Sequence, residues 1–75
     1  MTNDELDIRF TYHAPSGTQP LRYEQLRASG RVLADALVAR CPESRELSLA
    51  LTKLEEAIMW GNAAIARREE KSDAR

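Results

Sequence analysis

The sequence predicts an all-α protein: an antiparallel helical hairpin with a short extended N-terminal arm, assembling into a helical homo-oligomer. Three observations carry this reading. Two long stretches repeat apolar residues at steps of three and four, the spacing of one helical face. Only the turn Cys41-Pro42-Glu43-Ser44 separates them, so short a link that the helices must be antiparallel neighbours. The second stretch also carries a further contact face, which a lone hairpin has no use for.

Size and composition favour assembly. A chain of 75 residues makes one small domain spanning 1–75, too short to offset its conformational entropy from a single thin core. It is 43% hydrophobic but has only one Trp, two Tyr and one Phe, so Leu, Ile, Val and Ala must supply the packing. Cys41 is the sole cysteine and excludes an internal disulfide. One Cys and the single distant His13 do not make a metal site, and no cofactor is implied. Other copies of the chain are the support that remains.

Charge narrows the partners. A net charge of −1 supplies no basic field for long nucleic acid, although a small anion needs only a local cluster of cations. No apolar run approaches the ~20 residues of a membrane span. The acidic start MTNDELDIRF lacks the basic and apolar regions of a signal peptide. Together with a free thiol, this gives cytoplasmic localisation as the expectation.

Taken in order, residues 1–20 are read as arm and loop. Met1 to Asp7 is a loose acidic lead-in. Ile8 to His13 alternates apolar and polar residues, with Ile8, Phe10 and Tyr12 on one side, and is read as extended. Ala14 to Pro20, with two Pro and a Gly, is a loop. Helix 1 spans 21–40, with Tyr23, Leu26, Gly30, Leu33 and Leu37 as its buried stripe. Pro42 stops it, and Ser44 is the N-cap of helix 2, spanning 44–68. Its first face holds Leu47, Leu51, Leu54, Ile58, Gly61 and Ile65; the opposite face holds Arg45, Leu49, Thr52, Glu56, Trp60, Ala63 and Arg67, with Lys53 beside them. Gly30 and Gly61, both on buried stripes, mark close helix–helix approach. Residues 69–75 are a charged tail.

The site inventory argues against an enzyme. There is no Ser–His–Asp arrangement, no Cys–His pair at local spacing and no glycine-rich phosphate loop. Adjacent Glu55 and Glu56 point about 100° apart on a helix and form no carboxylate dyad. Cations are more informative. Arg27 and Arg31 stand one turn apart, a like-charge pair that calls for an anion. Glu24 and Asp35 offer the plainer account of solvated salt bridges. Arg45, Lys53 and Arg67 share a side of helix 2 with Leu49 and Trp60, which suits an oligomer seam or a phosphate site alike. Tyr12 and His13 have the chemistry to stack on a base and donate to a phosphate; packing of the arm onto the hairpin explains Tyr12 as well. Trp60 is read as an interface anchor.

The motifs F-x-Y-H-x-P (Phe10 to Pro15), R-Y-E-x-x-R (Arg22 to Arg27), C-P-x-S-R-E (Cys41 to Glu46), S-L-A-L-T-K-L-E-E (Ser48 to Glu56) and M-W-x-N-A-A-I-A-R (Met59 to Arg67) together resemble a phage family. Its members are small anti-CBASS sponges that sequester cyclic oligonucleotide signals, and their helical hairpin recurs in sponges directed against Thoeris defence. The resemblance covers Phe10 to Arg67 and is most specific in helix 2. It implies a homohexamer without enzymatic activity, working in the cytoplasm of the infected bacterial host. Cyclic dinucleotides such as cyclic GMP–AMP would lie in pockets between subunits, and in some members cyclic trinucleotides lie on three-fold axes. Carried over residue by residue, the implied ligand-binding set is Tyr12, His13, Arg22, Arg27, Arg45, Lys53 and Arg67. Tyr12 would stack on a base with His13 alongside, Arg27 and then Arg22 would meet phosphate, and Arg67 would serve a trinucleotide. Gly61 departs from the family pattern, where Ala is expected. The rival reading is a small helical oligomeric interaction module that binds a host protein through the Leu49/Trp60 face.

Overall fold

The computed structural model describes residues 1–69, so residues 70–75 of the expected charged tail lie outside the description. The described part holds three helices, α1 (Asn3–Phe10), α2 (Gln19–Arg40) and α3 (Arg45–Arg68), and no strand. Helices α2 and α3 form the hairpin. Cys41 leaves the helix in extended conformation, its N–H still donating to the Leu37 carbonyl at 2.9 Å. Ser44 then caps α3, its hydroxyl oxygen accepting the Leu47 N–H at 3.1 Å.

The expected extended arm is corrected. Residues 3–10, including Ile8 to Phe10, are helical. The period-two pattern rested on three apolar positions, and stronger local signals oppose it. Thr2 caps α1, accepting the Glu5 N–H at 3.2 Å, in a Thr-x-x-Glu arrangement. Asp4 and Glu5 sit at the positive end of the helix dipole and Arg9 at the negative end. Glu5 also pairs with Arg9 one turn on, at 2.8 Å, in the favourable acid-first order. The acidic lead-in is thus the first turn of a helix. Only beyond Phe10 does the chain extend, beginning at Thr11.

The connection to α2 closes on a buried polar residue. Gly17 takes a φ of 57°, the left-handed conformation a β-carbon disfavours. The turn delivers Gln19, which is only 6% exposed. Its Oε1 accepts the Ser16 N–H at 3.1 Å, and its Nε2 donates to the Ile65 carbonyl and to Glu69 at 3.1 and 3.0 Å. One amide therefore ties the loop to the far end of α3.

Packing between α2 and α3 follows the expected stripe on α3, but on α2 Leu33, expected in the buried stripe, is 50% exposed; Ala34, one full turn on from Gly30, is half-buried in its place. Leu47, Leu51, Leu54, Ile58, Gly61 and Ile65 are half-buried, while Arg45, Leu49, Thr52, Glu56 and Trp60 face outward. Gly30 is buried; a β-carbon there would lie 2.9 Å from Ile58 Cγ1 and 3.1 Å from its Cδ1. Gly61 is looser than expected, since its β-carbon would meet only Leu26 Cδ1, at an ordinary 3.5 Å. Gly30 alone marks the tight crossing.

Among the described residues no apolar side chain is buried. The molecule measures 46 × 29 × 13 Å, and its least extent is about the diameter of one helix. A stable core needs two packed layers; this chain supplies one. Helix α2 adds an outward apolar line that the sequence reading passed over. Leu21, Ala28, Val32 and Ala39 lie roughly opposite Gly30 at about 100° per residue, and all four are exposed.

Candidate functional site

Two guanidinium groups that sequence reading placed on separate helices meet at one groove. Tyr23 and Arg27 of α2 line it from one side, and Asn62, Ala63, Ala66 and Arg67 of α3 from the other. A second groove continues from Arg27 and Asn62 along the hairpin past Gly30, Arg31 and Ile58 to Ala34 and Leu51. Arg27 and Asn62 thus sit where the two grooves join. The small side chains at 63 and 66 keep the α3 wall low, which leaves the Tyr23 ring and the Arg27 guanidinium room to approach a ligand.

The electrostatics separate the helix 1 arginines. Arg31 pairs with Asp35 at 3.0 Å, the plain salt bridge the sequence offered. Arg27 makes no ion pair with Glu24 or with any other described residue, and neither does Arg67. Arg27 and Arg67 are therefore the free cations of this groove among the described residues. The Oδ1 of Asn62 is shielded from water and accepts no hydrogen bond, an acceptor left over at the junction of the grooves.

The remaining expected site residues stand elsewhere on the protomer. Tyr12 is 82% exposed and lines none of these grooves. His13 is half-buried, and its Nε2–H donates to the Ile8 carbonyl at 2.7 Å; a carbonyl only accepts, so the proton must be on Nε2. Its Nδ1 is shielded and unpartnered. Arg22 grips Glu69 with both terminal nitrogens and reaches the Thr18 hydroxyl through Nε at 3.2 Å. Donating to the Glu69 carboxylate raises the already high pKa of Arg22. Arg45 opens α3 and Arg67 lies in its last turn, 22 residues or about 33 Å apart at 1.5 Å per residue. Lys53 lies between them, exposed, with Glu56 at 3.8 Å. One small ligand on one protomer cannot touch all seven residues.

A second crevice lies on the other side of Arg67. Its walls are Arg9 and Phe10 of α1 and Trp60, Ala64, Arg67 and Arg68 of α3. Glu5 organises its cations: Arg68 clasps that carboxylate at 2.8 and 3.1 Å and Arg9 at 2.8 Å. Hydrogen bonds first from Arg68 and then from Arg9 hold the Glu5 carboxyl down at about 2, and the same contact raises the Arg68 pKa.

Sequence reading missed Tyr23, Asn62, Gln19, Arg9 and Phe10. Tyr23 belongs to the packing stripe in that reading, and Asn62 enters it only as part of the M-W-x-N-A-A-I-A-R motif, with no role of its own. Arg9 and Phe10 were hidden by the extended reading of the arm, although Thr-x-x-Glu ahead of them signals a helix. Among the described residues no helix is long and apolar enough to cross a membrane.

A comparison with protein families matches residues 2–66 to the model described as Acb2/Tad1, hairpin domain. No curated protein and no solved structure matches the chain.

Proposed function

Because the chain belongs to the Acb2/Tad1 hairpin family, the anti-CBASS and anti-Thoeris sponges associated with binding cyclic nucleotide signals, we propose that it sequesters cyclic dinucleotides such as cyclic GMP–AMP without cleaving them. In this reading the phage protein acts in the cytoplasm of its bacterial host. Pockets close between copies of the chain in a homohexamer, and cyclic trinucleotides are a further ligand. Sequestration works by mass action, so it demands tight affinity and abundant protein, not turnover.

The observation that supports the reading best is that Arg27 and Arg67, without an ion-pair partner among the described residues, face one groove that a single protomer leaves open. The missing wall is the second observation. A single-layer hairpin with no buried apolar side chain among the described residues needs further copies to fold, and those copies bring further side chains to the groove. Tyr12, exposed on its own protomer, is then available to stack on a base held by a neighbour. Arg27 meets phosphate bidentately, with His13 beside Tyr12, held by its bond to Ile8. Arg22 contributes a phosphate contact only by giving up Glu69. Arg45 and Lys53, far along α3 from Arg67, act at a separate pocket edge, and Arg67 serves the trinucleotide.

Calorimetry with cyclic GMP–AMP tests the proposal. The expected result is tight binding, with intact nucleotide recovered when the protein is denatured. Hydrolysed nucleotide would replace the sponge by a phosphodiesterase. The interaction-module reading draws on a different feature, Leu49 and Trp60, which are 47% and 63% exposed and lie on one line of α3. It predicts that no cyclic nucleotide raises the melting temperature.

A further inference from the structure

The crevice between α1 and α3 has no part in that assignment beyond sharing Arg67. It combines two features that are costly to leave bare together. Phe10 is 82% exposed and Trp60 is 63% exposed, and both rings line the same crevice. Between Trp60 and Arg67 the floor is formed by the methyl groups of Ala63 and Ala64, low enough for a flat ring to lie on. Around it, among the described residues, stand the guanidinium groups of Arg9, Arg67 and Arg68, with the carboxylate of Glu5 against them. Counting these four groups, three positive and one negative, the crevice is positive by two charges.

The donors are held in place yet not used up. Arg9 gives Glu5 only its Nε–H, which leaves the rest of its five N–H donors uncommitted among the described residues. Arg67 has no ion-pair partner there. Glu5 thus acts as a positioning residue, fixing Arg9 against Arg68 while leaving the outer edge of Arg9 open. Aromatic faces beside charged donors recognise planar, anionic ligands, the ring by stacking and the charge by paired N–H bonds.

We propose that this crevice is a second binding site, complete on one protomer, for a nucleoside monophosphate: the base stacks on Trp60 and the phosphate meets Arg9 and Arg67. It differs from the interface pockets in needing neither Tyr12 nor Arg27.

The protein carries its own reporter, because Trp60 is the only tryptophan. AMP is titrated against the assembled protein with excitation at the red edge of the indole band, where adenine does not absorb. The expected result is saturable quenching by AMP and none by ribose 5-phosphate, which has no ring to stack. Arg9→Ala should weaken AMP binding about tenfold or more, the loss expected for one charge-assisted phosphate contact. Arg68 still holds Glu5 in that variant, so α1 stays docked. Phe10→Ala checks the opposite wall and should also weaken AMP. Calorimetry of Arg9→Ala with cyclic GMP–AMP should match the unmodified protein, so the two readings fail separately. Quenching that never saturates, or an AMP affinity unmoved by Arg9→Ala, would overturn the proposal. So would Trp60 emission already shifted to the blue and indifferent to AMP, the signature of a second copy covering the crevice.

Discussion

Replacing the two helical glycines by alanine separates the tight crossing from the loose one. Both substitutions gain the same helix propensity, about 1 kcal/mol, so their difference isolates the packing. At Gly30 the new β-carbon would lie 2.9 Å from Ile58 Cγ1 and 3.1 Å from Cδ1. The Cγ1 atom is near the root of a β-branched side chain with few alternative rotamers in a helix, so the backbones must separate. Over-packing of this kind costs about 1–3 kcal/mol, which cancels or exceeds the propensity gain. At Gly61 the nearest atom is the tip of Leu26 at 3.5 Å, and the gain survives. Gly61→Ala should therefore be the more stable variant by about 1–3 kcal/mol. In a domain of this size that corresponds to a difference in melting temperature of roughly 4–8 °C per kcal/mol. Thermal unfolding by circular dichroism, with all samples at one protein concentration because assembly shifts the midpoint, reads the difference. If Gly30→Ala melts at or above Gly61→Ala, the helices do not cross closest at Gly30 and the hairpin geometry is wrong.

Three further outcomes follow from particular residues. Arg27→Ala should weaken cyclic GMP–AMP by about tenfold or more, as loss of a charged hydrogen-bonding partner does, whereas Arg31→Ala, whose charge Asp35 already neutralises at 3.0 Å, should change it little; calorimetry on both decides whether the free cation matters. Gln19→Leu should cost about 1–3 kcal/mol by stripping the Ile65 carbonyl of its partner, measured by urea unfolding, and an unchanged midpoint would remove Gln19 as the tie between loop and α3. Glu5 governs the docking of α1. Its folded pKa is lowered from 4.5 to about 2, so its contribution is fully present above 4.5 and fades as pH falls from there through about 2. Protection of the α1 amides, taken relative to the intrinsic exchange rate at each pH, should fall over that window to the level of Glu5→Gln, which should be the less protected at neutral pH; equal protection at neutral pH would mean that the Arg68 contact does not hold the helix.

The hairpin was legible because its signals are redundant. Two apolar stripes, a proline in the turn and a serine cap all agree, and agreement across levels is what makes a sequence readable. The N-terminal helix was not, because three alternating residues were weighed above a capping pattern whose best partner, Arg68, lies 63 positions away. Long-range ion pairs leave no local period. Gly30 and Gly61 look alike in sequence, and only the crossing point distinguishes them. The outer apolar line of α2 escaped notice because the helix is apolar on two sides, which blurs a single stripe. In the candidate site, residue type singles out Arg27 and Arg67 as cations, and the roles proposed for them are what the resemblance implies. Tyr23 and Asn62 join them only through packing across the hairpin. Arg27 and Arg31 were equivalent on paper, and the geometry of Asp35 alone separates them.

The claim on which the rest depends is that one copy is an open half-site. Sedimentation velocity with cyclic GMP–AMP present, followed through the absorbance of the nucleobases over a dilution series, tests it most directly. The account predicts that the nucleotide travels only with species several chains in mass, and that dilution to single chains releases it as the helices melt. A folded single chain of 8.5 kDa that carries the nucleotide would contradict it.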